Sequence, residues 1–417
     1  MTDVRTADRA AGTPRHSAAA PASLRLLDGR PASDAFTLDP RLGHLNHGSF
    51  GAVPRVSQDE QARLRSVMES APVAWFPPLP GLVAGARRRV AGFLGVDARD
   101  TAFVPNASAG ASVVYSSLPV SHGVEILVTD HGYGAVTMGA ERLARRWGGR
   151  VRTVAVPLDA DHDTSAAIIV EAIGPGTSLV VLDQITSPTA RRLPVESVSH
   201  AARERGVPML VDGAHAPGLI ADPLADLDCD FWVGNLHKFT CAPRGTGVLV
   251  ARGPLVPELN PLIDSWGATE PYPERFDTQG TLDLTNWLAS PTSLDFIAET
   301  WGWDTARRYM SELADYAVDV ITRAFSAITG EDHRVDVGMP VGALRLVRLP
   351  PGLATGHLEA NGLRDRVVDE LGVECAFTAF DGVGYLRLST HVYNTASDYE
   401  DFAERCVPVL ARWARAS

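Results

Sequence analysis

The chain has 417 residues, 45% of them hydrophobic and 21% charged. That composition belongs to a globular fold and excludes wholesale disorder or a long coiled coil. The formal charge of -12 argues against nucleic-acid binding, and no apolar run reaches the roughly 20 residues a membrane helix needs.

Residues 1–35 show no periodicity and no apolar stretch of the kind a secretory signal carries, so a mobile tail is expected there. Order is expected from Phe36–Leu45, just ahead of the turn-like run Asn46-His47-Gly48-Ser49-Phe50-Gly51. Helical patterns follow at Ser57–Glu69 and Leu82–Leu94. Seven apolar, β-rich runs come next: Thr101–Pro105, Glu125–Thr129, Arg150–Val156, Ser178–Asp183, Pro208–Asp212, Phe231–Val233 and Gly247–Ala251. Helical stretches at Gly110–Ser117, Val136–Trp147, Ser165–Ile173 and Val195–Arg205 separate them. Strands alternating with helices predict an α/β domain over residues 36–294, with a mostly parallel seven-stranded sheet flanked by helices. After Leu294 the pattern changes. A long helical stretch (Asp295–Ile328), strands at Gly342–Arg348 and Gly384–Ser389, and helices at Leu363–Leu371 and Ser397–Trp413 predict a smaller α+β domain over residues 295–417.

Parallel sheets bind ligands beyond the carboxyl ends of their strands. Chemistry is therefore expected at Pro105–Gly110, Asp130–Gly134, Gln184–Thr189, Asp212–His215 and Gly234–Lys238. One count sharpens this. Of 38 basic residues, 37 are Arg and one is Lys, Lys238. Arg keeps its charge, whereas a Lys amine can lose its proton and attack a carbonyl. Asp212, at the end of an apolar run, is either a turn former or a carboxylate on a crevice floor. A Lys for a Schiff base and an Asp for a pyridinium nitrogen are the protein's two main contributions to a pyridoxal-phosphate site. No GxGxxG opens a βαβ unit and no GxxxxGK[ST] occurs, which removes the nicotinamide and P-loop readings. Cys229, Cys241, Cys375 and Cys406 form no CxxC pair, and His44, His47 and His131 match no metal-ligand spacing. No metal is expected, and a reducing, cytoplasmic compartment is.

Val211-Asp212-Gly213-Ala214-His215-Ala216-Pro217-Gly218, Gly234-Asn235-Leu236-His237-Lys238-Phe239 and Pro243-Arg244-Gly245-Thr246-Gly247 together resemble the class V aminotransferase family, pyridoxal-phosphate enzymes of fold type I. Leu45–Gly51, Asp130–Val136, Asp183–Ala190, Leu386-Arg387-Leu388-Ser389 and Tyr393-Asn394-Thr395 bring the chain nearest to the isopenicillin N epimerase-like branch. The matches run in order from about residue 40 to 400. The resemblance implies that Lys238 holds the cofactor and moves the Cα proton, Asp212 pairs with the ring nitrogen, His215 bonds the ring O3′ and Tyr133 stacks on the ring. It implies phosphate contacts from Asn106, Ser108 and Ala109 at a helix start, where N–H groups can face an anion, and from Asn235 and His237. Gly280 and Thr281 resemble a segment that reaches the phosphate of the neighbouring subunit, implying a homodimer with shared sites. Ser187 is placed near O3′ or the substrate, Arg387 on the substrate carboxylate, and Asn46 and Ser49 along the substrate pocket.

The implied activity is Schiff-base exchange followed by a quinonoid carbanion, in bacterial secondary metabolism such as antibiotic biosynthesis. Epimerisation and C–S lysis of a cysteine S-conjugate stand level. Decarboxylation-coupled oxidative deamination and transamination are alternatives, and a non-catalytic cofactor-fold binding protein is the remote one. Gln184 stands where the epimerase-like pattern expects His; either it removes a proton carrier or the position merely packs.

Overall fold

A computed structural model describes residues 19–119 and 122–416. Its twelve strands among these residues are β1 (Gly43–His44), β2 (Thr101–Val104), β3 (Glu125–Thr129), β4 (Arg150–Val154), β5 (Thr177–Asp183), β6 (Met209–Asp212), β7 (Phe231–Asn235), β8 (Gly247–Ala251), β9 (Leu344–Arg348), β10 (Val373–Glu374), β11 (Ala376–Phe380) and β12 (Val383–Ser389). β2 to β8 form one seven-stranded sheet in the order β2-β8-β7-β6-β5-β3-β4. Only β8 runs against its neighbours. The expected α/β fold, with its mostly parallel sheet, is therefore present.

Side chains of a strand alternate between faces, and here both faces are covered. Leu127, Val180, Leu182, Val211, Trp232 and Val250 enter one apolar core, while Ile126, Val128, Leu179, Val181, Leu210 and Val233 enter another. That is why these strands read as unbroken apolar runs. A third core, around Leu313, Phe325, Val347, Leu386 and Phe402, underlies the antiparallel sheet β11-β12-β9.

Three expectations need correcting. Residues 1–18 of the anticipated tail lie outside the described residues, but residues 19–35 are structured. Ala32–Ala35 forms a 3-10 turn, Arg25 bridges Pro31, and the carbonyl of Arg25 accepts from Trp301 Nε1 at 2.7 Å. The stretch 295–328 is two helices, Thr285–Thr300 and Trp303–Thr329, separated at Gly302, whose φ of 76° breaks the α conformation. The anticipated division at 294/295 therefore falls inside a helix. The last helix is also split, into Ala396–Arg405 and Val407–Ala416, and Pro408 supplies the reason because it lacks an N–H for the preceding turn.

One long-range contact positions the site. β1, far ahead of the first sheet strand, pairs in parallel with β10 of the C-terminal region, Gly43 opposite Val373 and His44 opposite Glu374. Asn46 then bridges Ser389 at the end of β12. The turn Asn46–Gly51 is thereby delivered to the carboxyl edge of the large sheet.

Candidate active site

The carboxyl ends of β5, β6 and β7 supply the floor. Asp183 and Asp212 are register partners at the ends of adjacent parallel strands, and both are buried. Asp212 Oδ1 accepts from the Ala214 amide at 2.9 Å. Its Oδ2 is buried without any partner. Burial pushes the Asp212 carboxyl upward from its ordinary range, while the Ala214 amide and the Lys238 ammonium oppose the shift. Lys238 follows β7 and is buried; burial and the Arg387 charge pull its ammonium down to about 7, against the pull of Asp212 and Asp183. Its Nζ lies 3.0 Å from His215 Nε2, which is also 3.1 Å from the Gly48 carbonyl. Gly213 is required beneath them, since a Cβ there would lie 2.3 Å from the Trp232 ring.

Two connected cavities open over this floor. The inner one, 290 Å³, is lined by Asn106, Ser108, Asp183, Asp212, His215 and Lys238, among others. The outer one, 740 Å³, runs past Lys238 to Arg387, Asn46, Phe377 and Arg364. Tyr133, Ser187, Ser49 and Arg244 border both.

Arg387, on β12, is 4% exposed. Its Nη1 donates to the carbonyl and hydroxyl of Ser187, both at 2.9 Å, and its Nη2 to Ser49 Oγ at 3.0 Å and Asn46 Oδ1 at 3.3 Å. No carboxylate pairs with it among the described residues, and its Nε has no partner. A buried guanidinium held only by neutral groups is an anion site in waiting, because charge taken out of water needs a counter-charge. Asn46 and Ser49 thus orient Arg387, as well as bordering the pocket. The turn that carries them is fixed in place. Gly51 has φ 71°, and a Cβ on it would meet the His237 carbonyl at 2.2 Å.

The anion end departs in part from expectation. Asn106 caps the helix Ala107–Ser117 and its Oδ1 accepts from the Ala109 amide at 2.8 Å, so that amide is already used. Asn235 Oδ1 takes the Ala107 amide at 2.8 Å, tying β7 to the helix start. Ser108 borders the inner cavity; Ala109 does not. His237 Nδ1 donates to the Thr246 carbonyl at 3.1 Å, and burial pulls the ring down to about 4, which leaves Nε2 facing an incoming anion as a lone pair unless it gains a proton. Gly280 and Thr281 are exposed and border neither cavity of this chain.

Gln184 points away from the site. Its Nε2 donates to the Pro223 carbonyl at 2.6 Å and its Oε1 accepts from Trp232 Nε1 at 3.0 Å, in a fully buried setting. The position packs; it is not a lost proton carrier. Sequence reasoning also missed His47, His391 and Asp183. His47 Nε2 donates to the Lys238 carbonyl at 3.0 Å and His391 Nε2 to the Phe239 carbonyl at 3.2 Å, clamping consecutive peptides at the lysine. These two rings and Cys241 gather three potential metal ligands. The rings stack at 3.8 Å and 18°, however, so their in-plane lone pairs do not converge on one ion.

The chain matches the family model of the class V aminotransferases over residues 81–402. It belongs to the class V aminotransferase family. Among curated relatives, isopenicillin N epimerase of Amycolatopsis lactamdurans is 33% identical over 395 residues, covering 89% of this chain and 96% of the relative. A putative L-cysteine desulfhydrase of Oryza sativa subsp. japonica is 26% identical over 417 residues, covering 89% and 83%. Among solved structures, a C-DES mutant with glycine covalently linked to its PLP cofactor superimposes with a TM-score of 0.76 at 21% identity, covering 92% of this chain and 99% of that one. As a class V aminotransferase family member the chain is a pyridoxal 5'-phosphate enzyme. Its own residues fit that group: the unpartnered Asp212 Oδ2 suits a protonated ring nitrogen, and a single depressed lysine amine stands beside it. No helix among the described residues is long and apolar enough to cross a membrane.

Proposed function

We propose that this enzyme inverts the configuration at Cα of an amino-acid substrate, as an isopenicillin N epimerase-like epimerase. The observation that carries the Cα chemistry is Lys238, the only lysine of the chain, which borders both cavities with an amine depressed to about 7, and the 33% identical isopenicillin N epimerase favours inversion. Such an amine is part neutral at neutral pH and can take and return a proton. Bound pyridoxal phosphate supplies an electron sink that acidifies Cα–H. The chain supplies the rest. Arg387 binds the substrate carboxylate by exchanging bonds to Ser187, Ser49 and Asn46 for the carboxylate oxygens, which orients Cα toward Lys238. Asp212 holds the positive charge on the ring nitrogen. Tyr133 and Phe50 cover the mouth, and Ser108 holds the phosphate, joined by His237 once its ring gains a proton. Lys238 removes the Cα proton, and inversion requires that a proton return to the opposite face of Cα, from Lys238 itself after the substrate has turned or from a donor across the pocket; neither route calls on residue 184.

C–S lysis is the second reading, favoured by the relatives named as desulfhydrases. A variant of it that leaves the persulfide on a protein cysteine is disfavoured here. Cys375 borders the outer cavity, but burial pushes its thiol well above the ordinary range, and a neutral thiol is a poor nucleophile. A cytoplasmic homodimer in secondary metabolism completes the proposal. The exposed Leu262, Ile263 and Trp266 support a second copy, because Ser265 Oγ accepts from the Gly280 amide and so joins this apolar patch to Gly280–Thr281.

Proton NMR of the holoenzyme in D2O, with L-amino acids and cysteine S-conjugates, tests the choice. Intact substrate that gains deuterium at Cα and loses enantiomeric purity is the expected result. A freed thiol with pyruvate would replace epimerisation by C–S lysis.

A further inference from the structure

Asp183 has no part in the mechanism above, yet it is one of the most constrained acids of the molecule. It ends β5 as Asp212 ends β6, in direct Cα register, so their side chains leave the sheet on the same side. Both are buried and both border the inner cavity. Two buried carboxylates on neighbouring strands cannot both ionise cheaply, since each raises the cost of the other's charge. Their surroundings break the tie. Asp212 has the Ala214 amide at 2.9 Å, a well-formed bond to an anion. Asp183 Oδ1 has only the Tyr133 amide, at 3.2 Å.

The other groups facing Asp183 leave that asymmetry in place. Lys238 favours charge on either acid. Tyr115, on the helix Ala107–Ser117, has its hydroxyl committed to the Val136 carbonyl and is itself pushed upward by burial and by both acids. Burial and Asp212 together push Asp183 well above the carboxylate range, and burial pushes Asp212 upward as well.

We propose that Asp183 is a proton-bearing positioning residue: a neutral carboxylic acid at neutral pH that leaves Asp212 as the single negative charge of the cavity floor and anchors Tyr133 by its amide. The site would then present one charge, not two, to a ring nitrogen docked on Asp212. Ionising Asp183 at alkaline pH would add a second negative charge beneath the cofactor and Lys238.

The test compares full-length wild type with Asp183→Asn, a neutral isostere. In infrared difference spectra of protein freed of cofactor at pH 7, the wild type should show one protonated-carboxyl band that the variant lacks. In the holoenzyme, the pH midpoint of the cofactor's visible band should move by less than about 0.3 unit, since no charge is removed. A wild type without that band, a band that persists in the variant, or a midpoint lowered by about one unit or more would overturn the assignment. Should Asp183→Asn not fold, carbon-13 NMR of aspartate-labelled wild type, with the Asp183 carboxyl assigned through its own backbone, decides instead: an Asp183 carboxyl still protonated at pH 7 supports it, and an ionised one rejects it. The infrared and NMR readouts need no cofactor, so they fail or succeed independently of the epimerase reading.

Discussion

The floor and the roof of this site are built in different ways. Asp183, Asp212 and Lys238 sit at or just after the ends of three strands, β5, β6 and β7, that are neighbours in the sheet and consecutive in the chain. Sheet register alone sets their spacing. The roof draws on segments hundreds of residues apart: Asn46 and Ser49 from the entry turn, Ser187 from the loop after β5, and Arg387 from β12. It exists only because β1 pairs with β10 and the turn is pressed against His237. A floor made by one sheet resists local change, whereas a roof made of long-range contacts can be lost through any one of them.

The largest expected effect comes from removing the cation that the roof holds. Arg387→Ala should lower kcat/KM on the order of 100-fold, mainly through KM, because a charge-assisted pair with the substrate carboxylate disappears. Steady-state kinetics checks this, and a kcat effect with KM intact would place Arg387 elsewhere in the reaction. Gly51→Ala should come next, destabilising the fold by about 1–3 kcal/mol, since the new methyl group meets the His237 carbonyl in a left-handed backbone conformation. Thermal unfolding and substrate KM should both worsen if the turn shapes the roof; an unchanged melting temperature would show that it does not.

The smallest effect on chemistry belongs behind the floor. Gln184→Ala leaves Trp232 Nε1 without its acceptor and should cost about 1–3 kcal/mol of stability. The ratio of epimerisation to any side reaction should stay as it is. A changed ratio in the D2O experiment would return residue 184 to the proton path.

Much of the floor was legible in the sequence. The seven strands of the large sheet were read within about two residues of their ends, and Lys238, Asp212 and His215 were placed at the right edge. Local chemistry sufficed, because an apolar run ending in a polar residue marks a strand end wherever it occurs. Asp183 showed the same signal as Asp212, but only their register makes them a pair. At the proposed phosphate end, a helix start with small residues is visible in the sequence, whereas the commitment of the Ala107 and Ala109 amides to Asn235 and Asn106 is not. The choice between the two readings of Gln184 was not legible, because its contacts, Pro223 and Trp232, are dozens of residues away.

The sequence by itself determined the alternation of strands and helices, the edge of the sheet where chemistry lies and the one amine able to do it. Each of these follows from periodicity or from the chemistry of a single residue type. Only the tertiary structure decided which side chains face the cavity, which amides are free for an anion, and that a buried arginine from the C-terminal region stands without a counter-charge over the lysine. Those outcomes depend on contacts between distant segments, and such contacts leave no local pattern in the chain.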